Sequence, residues 1–408
     1  MDARSTLGEP RVYVSRAALL HNISVIRSRM VGGTRLCAVL KADGYGHSAS
    51  IVADALCNFS SSRIDAPAVD ALAVATIDEA VALGEMPVPI MVLRPVENIF
   101  VGRERQRIEA AILNGWWLTV CTTETASDVA RIAVALGRRA CVQVMVDTGM
   151  SREGAEIDGV PRLLATVESY ASLQLMGLYT HLANAESPQD PMTVEQLRRF
   201  HEVSHLHSWK SPHLVCHAAN SGGVFHFPQS HLDMVRPGLA IYGIDPTGRP
   251  SVDRPLRPAL RWTAPLLMVR NVKRGDTVGY GGTWTAGRDT RLGLVPIGYA
   301  DGYLRAMSNR AMMIVNNQPV PVVGRVSMDS TMVDLTSIPS AAVGDQVTIL
   351  DDDPLSPASV YALGKWGQTI PYEVFCRIGS RVTRIAVEPA DEASEAAAPL
   401  MTYRRESA

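Results

Sequence analysis

The sequence predicts an α/β protein with an N-terminal (β/α)8 TIM-type barrel followed by a mostly antiparallel, all-β C-terminal domain. Eight short apolar runs, each followed by a helical stretch, recur through the first 240 residues or so. After about residue 250 strand-like runs follow one another without long helical spacers. The 408 residues are too many for one ordinary domain and comfortable for two. A doubly wound open sheet is the alternative that the same alternation of strand and helix allows.

The eight runs are 35–40 (RLCAVL), 70–75 (DALAVA), 88–93 (VPIMVL), 117–121 (WLTVC), 140–147 (ACVQVMVD), 173–181 (LQLMGLYTH), 213–219 (HLVCHAA) and 232–236 (LDMVR). Each is continuously apolar rather than alternating, the pattern of parallel strands covered on both faces. Between them, Thr76 and Glu79 are spaced as a capping box ahead of Ala80, Ala82 and Leu83, with Gly84 as the stop. Thr123 and Asp128 open another helical run through Val129 and Ile132. In the second half, WTAPLLMVRNV, TRLGLVPIGYA, AMMIVNNQPVPVVGRVSM, STMVDL, DQVTIL and RVTRIAV read as strands, and Asn316–Asn317 reads as a hairpin turn. The expected units are a barrel over 10–250, a β-strand domain over 251–388 and a flexible tail over 389–408, which is low in large apolar residues.

Composition removes several function classes. The formal net charge is −2, with both signs mixed along the chain, so no basic stripe points to nucleic acid. No apolar run is long enough to span a bilayer, and MDARSTLGEPR lacks the apolar core of a secretory signal. Cys37, Cys57, Cys121, Cys141, Cys216 and Cys376 are scattered without a C-x-x-C pair, which argues against zinc and against a disulfide framework. No metal is therefore expected, and reduced thiols in a cytoplasm are the simplest reading.

Functional groups of such a barrel gather where its strands end. The first run ends in Lys41, followed by Ala42-Asp43-Gly44-Tyr45-Gly46-His47. A lysine partly desolvated at a barrel mouth has a lowered pKa and can form a Schiff base. A lone lysine there is more often a surface residue, but Lys41 has company. Asp147 leads to Thr148-Gly149-Met150-Ser151-Arg152, and the sixth run ends in His181. The seventh leads to His217-Ala218-Ala219-Asn220-Ser221, and the eighth to Arg236-Pro237-Gly238-Leu239. Ser221 and the amides near Gly238 follow strands seven and eight, where barrels often bind phosphate. Gly238 leaves room for close backbone approach to an anion. A mouth lysine across from a phosphate pocket suggests an aldehyde cofactor bearing a phosphate.

AVLKADGYGHS resembles the pyridoxal-phosphate motif of alanine racemases, A-V-x-K-A-N-A-Y-G-H-G. The similarity continues through DTGMSREG, GLYTH, HAANSGG, MVRPGLAIYG, TVGYGGTW, VPIGYADGY, GRVSMD and PYEV, in family order over roughly residues 10–388. The resemblance implies pyridoxal 5'-phosphate held by Lys41, a small amino acid as substrate, and a homodimer with shared active sites. Lys41 is implied as one catalytic base and Tyr280, reaching the partner subunit's site, as the other. Two bases on opposite faces of the α-carbon invert it. A phenol with pKa near 10 needs a cationic neighbour to favour its phenolate; His181, linked to Arg236, is the natural candidate. Arg236 is implied to face the pyridine nitrogen. It is no practical proton donor, so that nitrogen stays unprotonated and reprotonation is favoured over transamination. His217 would hold Arg236. Cofactor contacts are implied at Tyr45, His181, Asn220, Ser221, the amides of Gly238 and Leu239, and Tyr372. Arg152, the Met328 backbone and Tyr299 are implied around the substrate, and Glu186, Arg305 and Arg325 along an entry channel, where a solvated face explains them nearly as well.

Three departures from the family pattern bear on substrate range. Met145 stands where many relatives have a lysine whose carbamate steadies the carboxylate-binding arginine, so Arg152 must be held by Asp147, by an anion, or less firmly. Ser151-Arg152-Glu153 replaces Gly-Arg-(Ile/Leu), and Asp43-Gly44 replaces Asn-Ala, adding a charge near the cofactor. The expected activity is interconversion of L- and D-alanine for peptidoglycan. A broader racemase for serine or basic amino acids is the alternative. An amino-acid decarboxylase is disfavoured because its cysteine–aspartate motif is absent, and a non-catalytic cofactor-binding scaffold because it needs no second base.

Overall fold

The computed structural model describes residues 9–57, 67–97, 102–205 and 214–388; the tail expected over 389–408 lies outside the described residues. All eight predicted runs form strands: Arg35–Val39, Ala71–Val74, Ile90–Pro95, Trp117–Val120, Ala140–Asp147, Leu173–Tyr179, Val215–His217 and Met234–Val235. Neighbours pair in parallel, and the eighth strand closes onto the first at Met234↔Arg35. The circle is continuous through Leu118↔Val142, so the barrel is closed and the open-sheet alternative is excluded. Leu36, Cys37, Ala38 and Val39 are all buried, as are Ala71–Val74, which accounts for the unbroken apolar runs.

The helix signals are met with one adjustment. Thr76 Oγ1 accepts from the Glu79 N–H at 3.2 Å, Glu79 reaches back to the Thr76 N–H, and helix Ile77–Leu83 ends at Gly84. In the next case the cap is Thr122, whose hydroxyl accepts from the Thr125 N–H ahead of helix Thr123–Ala135.

The second unit is a nine-stranded sheet. Its order is Met268–Val272, Thr290–Val295, Thr331–Asp334, Gln318–Val323, Met312–Val315, Gln346–Leu350, Leu260–Pro265, Arg11–Ser15 and Thr383–Val387. All pairings are antiparallel except the last. The expected hairpin is present: Val315 pairs Gln318, and Asn316 and Asn317 have φ of 49° and 59°, the left-handed pair that a two-residue turn requires.

Two features depart from the reading. Arg11–Ser15, assigned by sequence to the barrel unit, lies in the second sheet, because its half-buried alternation (Val12 and Val14 in, neighbours out) suits a one-faced sheet rather than a barrel wall. The second half is also not wholly β. It carries helices Val360–Gly367, capped by Ser359, and Pro371–Cys376, both too short for a clear helical period. One hydrophobic core runs through both units, from Leu36 and Leu72 to Val347 and Phe375. Between them, the buried Asn22 accepts from the Arg257 N–H and donates to the Ile241 and Arg257 carbonyls, pinning the connecting chain to the first helix, Arg16–Arg29.

Candidate active site

The strand ends converge on a cavity of about 290 Å³. Lys41, Tyr45, Arg152, His181, Asn220, Ser221, Arg236, Gly238, Leu239 and Tyr372 all line it. Lys41 is only partly buried, yet burial, seconded by the Arg152 charge, holds its ammonium below the usual lysine range.

The backbone after Lys41 is unusual. Ala42, Asp43, Gly44 and Tyr45 have φ of 54°, 52°, 62° and 53°, a left-handed turn that costs non-glycine residues about 1–2 kcal/mol each. It is held from several sides. The Ala42 N–H donates to Glu79 Oε1 at 2.9 Å, so the capping-box glutamate also serves the site. Asp43 Oδ1 accepts from the Ala49 N–H at 2.8 Å. The extra charge foreseen at position 43 therefore faces the start of helix Ala49–Cys57 and does not line the cavity.

The turn delivers Tyr45, 6% exposed, against Tyr242, with ring centroids 4.8 Å apart. Its hydroxyl sits where a Cβ at position 238 would lie 2.4 Å away, so Gly238 makes the space that the phenol enters. Ser221 Oγ accepts from the Gly238 and Ala240 N–H groups at 3.1 and 3.2 Å. Tyr372 closes this end, its ring 6.0 Å from that of Tyr45, and burial with the nearby Glu186 raises its phenol to about 12. Neutral hydroxyls around a glycine-lined space fit a phosphate dianion. Asn220 is at the rim, but its amide is committed to the Gly223 N–H and the Leu182 carbonyl.

Arg236 is 3% exposed. It donates to His217 Nδ1 at 2.6 Å and to the Thr180 and Ala218 carbonyls at 2.8 and 3.2 Å. His217 therefore holds Arg236 as expected. The guanidinium also lies 5.0 Å from the centroid of the Tyr179 ring, which stacks on His217 at 4.9 Å and 5°.

One expectation is corrected, and one of the three alternatives offered for Arg152 falls away. Burial, with Arg236, Lys41 and Arg152 nearby, pushes His181 down to about 3. It is a neutral imidazole at neutral pH and not the cation that would favour a phenolate; the charges available are the arginines. Asp147 does not grip the Arg152 side chain either. Its Oδ1 accepts from the N–H groups of Gly149, Met150 and Ser151, fixing the loop backbone. Arg152 pairs instead with Glu153, Nε to Oε2 at 3.4 Å, and the buried Met145 lines the same cavity.

Tyr280, Tyr299 and Met328 do not line this chain's cavity; they are 72%, 44% and 53% exposed. Tyr280 opens a tight turn, Tyr280–Gly282, between Gly279 and Gly281 at φ of 72° and 71°. Glu186, Arg305 and Arg325 are exposed, and Arg325 Nη1 lies beside Gly281. Sequence reasoning missed Tyr179 and Arg94, both in the wall. Tyr179 shares the inward face with His181 two residues on, so reading the period of two back along that run would have found it.

The family models for the alanine racemase N-terminal and C-terminal domains match residues 14–246 and 259–386. The alanine racemase of Sorangium cellulosum is 37% identical over 391 residues, covering 93% of this chain and 99% of that one. That of Chlorobaculum tepidum is 35% identical, covering 92% and 94%. Among solved structures, alanine racemase from Streptomyces coelicolor superposes with a TM-score of 0.83 at 32% identity, over 95% of this chain and 100% of that one. Alanine racemase from Bartonella henselae, described with covalently bound pyridoxal phosphate, gives 0.78 at 27%, over 93% and 99%.

Proposed function

The chain belongs to the alanine racemase family, and from that premise we propose that it interconverts L-alanine and D-alanine, supplying D-alanine for peptidoglycan, with Lys41 and a second copy's Tyr280 as the two bases. The observation that carries this is the convergence of Lys41, Arg236 and the Gly238 cradle on one cavity. Pyridoxal phosphate, when bound, supplies the electron sink that acidifies the substrate's α-proton.

The chain's own residues do the rest. Tyr45, Ser221, Tyr372 and the Leu239 amide would hold the phosphate, while the Gly238 amide, committed to Ser221 Oγ, would position that hydroxyl. Arg236, fixed by His217, would present a cation to the cofactor's ring nitrogen and, being no practical proton donor, would leave it unprotonated. Arg152 receives the substrate carboxylate. Lys41, its ammonium already destabilised by burial, takes or returns the α-proton on one side. Tyr280 does so on the other side, which requires a homodimer. Its exposure on a turn braced by two positive-φ glycines suits a residue offered to a neighbour, and Met328 and Tyr299 accompany it. A cytoplasmic location belongs to the same proposal: all six cysteines are free thiols, which a reducing compartment preserves.

Purified holoenzyme given L-alanine is expected to produce D-alanine, and its absence refutes the reading. Lys41→Ala and Tyr280→Phe proteins, each inactive, are expected to regain activity when mixed, because mixed dimers hold one complete site; no recovery refutes the shared site. A broader substrate range is the second reading, favoured by the Glu153 carboxylate beside Arg152. A panel of amino acids decides it, and alanine fastest by a wide margin excludes it.

A further inference from the structure

Tyr280 stands on a ribbon that the large sheet does not hold. Thr277–Val278 pairs with Trp284–Thr285, and among the described residues these two short strands pair with no other strand. An isolated two-stranded hairpin is at best marginally stable in water. The base of the ribbon is packed, because Val278 is buried with Val272, Ala286, Leu292 and Val323. Residues 279–283, which carry Tyr280, are outside that cluster, and Gly281 and Gly282 within them have φ of 71° and 54°. A base that meets one proton from one direction needs its support fixed to about half an ångström, so something else must hold this turn.

A side chain from another segment reaches it. Asn309 Oδ1 accepts from the Gly324 N–H at 2.6 Å, and Asn309 Nδ2 donates to Thr283 Oγ1 at 3.2 Å, with the Thr283 carbonyl at 3.4 Å. A backbone N–H can only donate, so the amide oxygen must face Gly324 and the NH2 group must face Thr283. Gly324 in turn lies against the ribbon. A Cβ there would come within 2.8 Å of the Val278 carbonyl oxygen, and one on Gly279 within 3.3 Å of the Arg325 nitrogen. The start of the turn, at Gly279, thus leans on segment 324–325, and its end, at Thr283, is tied back to that segment through Asn309. Asn309 is itself anchored. The Arg310 and Ala311 N–H groups both donate to the carbonyl of the buried Met307 at 3.1 Å, and Ser308 Oγ accepts from the Val326 N–H at 3.0 Å. Its φ of 59° is one that asparagine visits more readily than most residues.

We propose that Asn309 is a positioning residue for Tyr280: by linking Gly324 to Thr283 across the turn, it holds the phenol where a second copy's site can use it. The proposal rests on the reading of Tyr280 as the second base. Asn309 does not line the cavity of its own chain, so its influence passes through the turn. Loss of the link leaves the Lys41 face of the reaction intact and impairs only the Tyr280 face. The two faces can be measured apart. Lys41 alone can remove the α-proton of one enantiomer and return a solvent proton to the same side, which is exchange without inversion, whereas inversion needs both bases.

The test uses Asn309→Gly, which removes both links and brings no positive-φ strain. Holoenzyme carrying it is expected to invert alanine roughly ten- to a hundredfold more slowly, the order that a misplacement of about 1 Å costs. In D2O, deuterium entry without inversion into the enantiomer that Lys41 serves should keep the wild-type rate. Amide hydrogen exchange of residues 277–285, followed by mass spectrometry, should be faster than in the wild type. In the mixed dimer, the Lys41→Ala chain supplies the working Tyr280, so Asn309→Gly in that chain should lower the recovered activity and in the Tyr280→Phe chain should not. Inversion at the wild-type rate, inversion and exchange falling together, or an effect carried by the Tyr280→Phe chain overturns the proposal. So does unchanged amide exchange over the turn. Wild-type holoenzyme that makes no D-alanine removes the racemase reading and this role with it, and that failure is told apart because the amide exchange still rises in Asn309→Gly.

Discussion

Adding one methyl group at position 238 is expected to loosen the cofactor without disturbing the barrel. Gly238 has φ of −117°, so alanine brings no positive-φ strain, and the effect must come from contact. The new Cβ would stand 2.4 Å from the Tyr45 hydroxyl and 3.0 Å from its Cζ. Ordinary van der Waals contact needs the hydroxyl to retreat by about 1 Å. The Tyr45 ring cannot slip sideways freely, because it is 6% exposed and packed on Tyr242. A hydrogen bond stretched by that much is lost. A bond to a charged group is worth about 1.5–3 kcal/mol, which weakens cofactor binding roughly ten- to a hundredfold. Titrating apoenzyme with pyridoxal phosphate and following tryptophan fluorescence measures it. In a Tyr45→Phe background the clashing oxygen is gone, so the further cost of Gly238→Ala should fall below about threefold. Wild-type affinity in Gly238→Ala, or an undiminished cost in the phenylalanine background, refutes the argument that glycine is there to admit the phenol.

Other tests reach different parts of the molecule. Arg152→Leu removes a cation that depresses Lys41, so the pH at which apoenzyme reaches half-maximal rate of cofactor attachment should move upward; a downward shift contradicts the electrostatics. His47 is fully buried and lowered to about 3, so the folded state refuses a proton that the unfolded state accepts below about 6.5. Its share of stability is therefore lost progressively as pH falls from about 6.5 towards 3, by up to tenfold in the folding equilibrium per pH unit. His47→Gln should flatten this part of the acid-unfolding curve followed by circular dichroism. Asn317→Ala should cost about 1 kcal/mol at the hairpin and Asn317→Gly almost nothing, read as chemical-denaturation midpoints.

The barrel was legible because its strands are buried on both faces and so stand out as unbroken apolar runs. The site was legible where a residue ends such a run or sits in a motif, as Lys41, His181, Arg236 and Gly238 do. What stayed hidden has physical reasons. Arg11–Ser15 is five residues long, and its partners lie over 240 positions away, a pairing that no local pattern reports. His181 looked like a cation because composition does not show that three positive groups and burial surround it. Glu153 looked like a change of specificity, yet its carboxylate also meets the neighbouring arginine. Tyr179 read as an ordinary strand position because nothing in one strand tells which neighbours it will face.

The left-handed loop behind Lys41 bears on how this protein can be cut, swapped or evolved. Its last residue, Gly46, is wedged against the Phe375 carbonyl, where any Cβ would come within 2.2 Å. Arg384 donates to the Gly46 carbonyl at 3.1 Å, and the His47 ring meets Phe375 edge-on. The reactive amine is thus aimed by a coiled spring whose outer end is clamped in the other half of the molecule. A barrel excised at its apparent border would keep its lysine and lose the clamp, and a graft from a distant relative would have to bring both halves of the vise together.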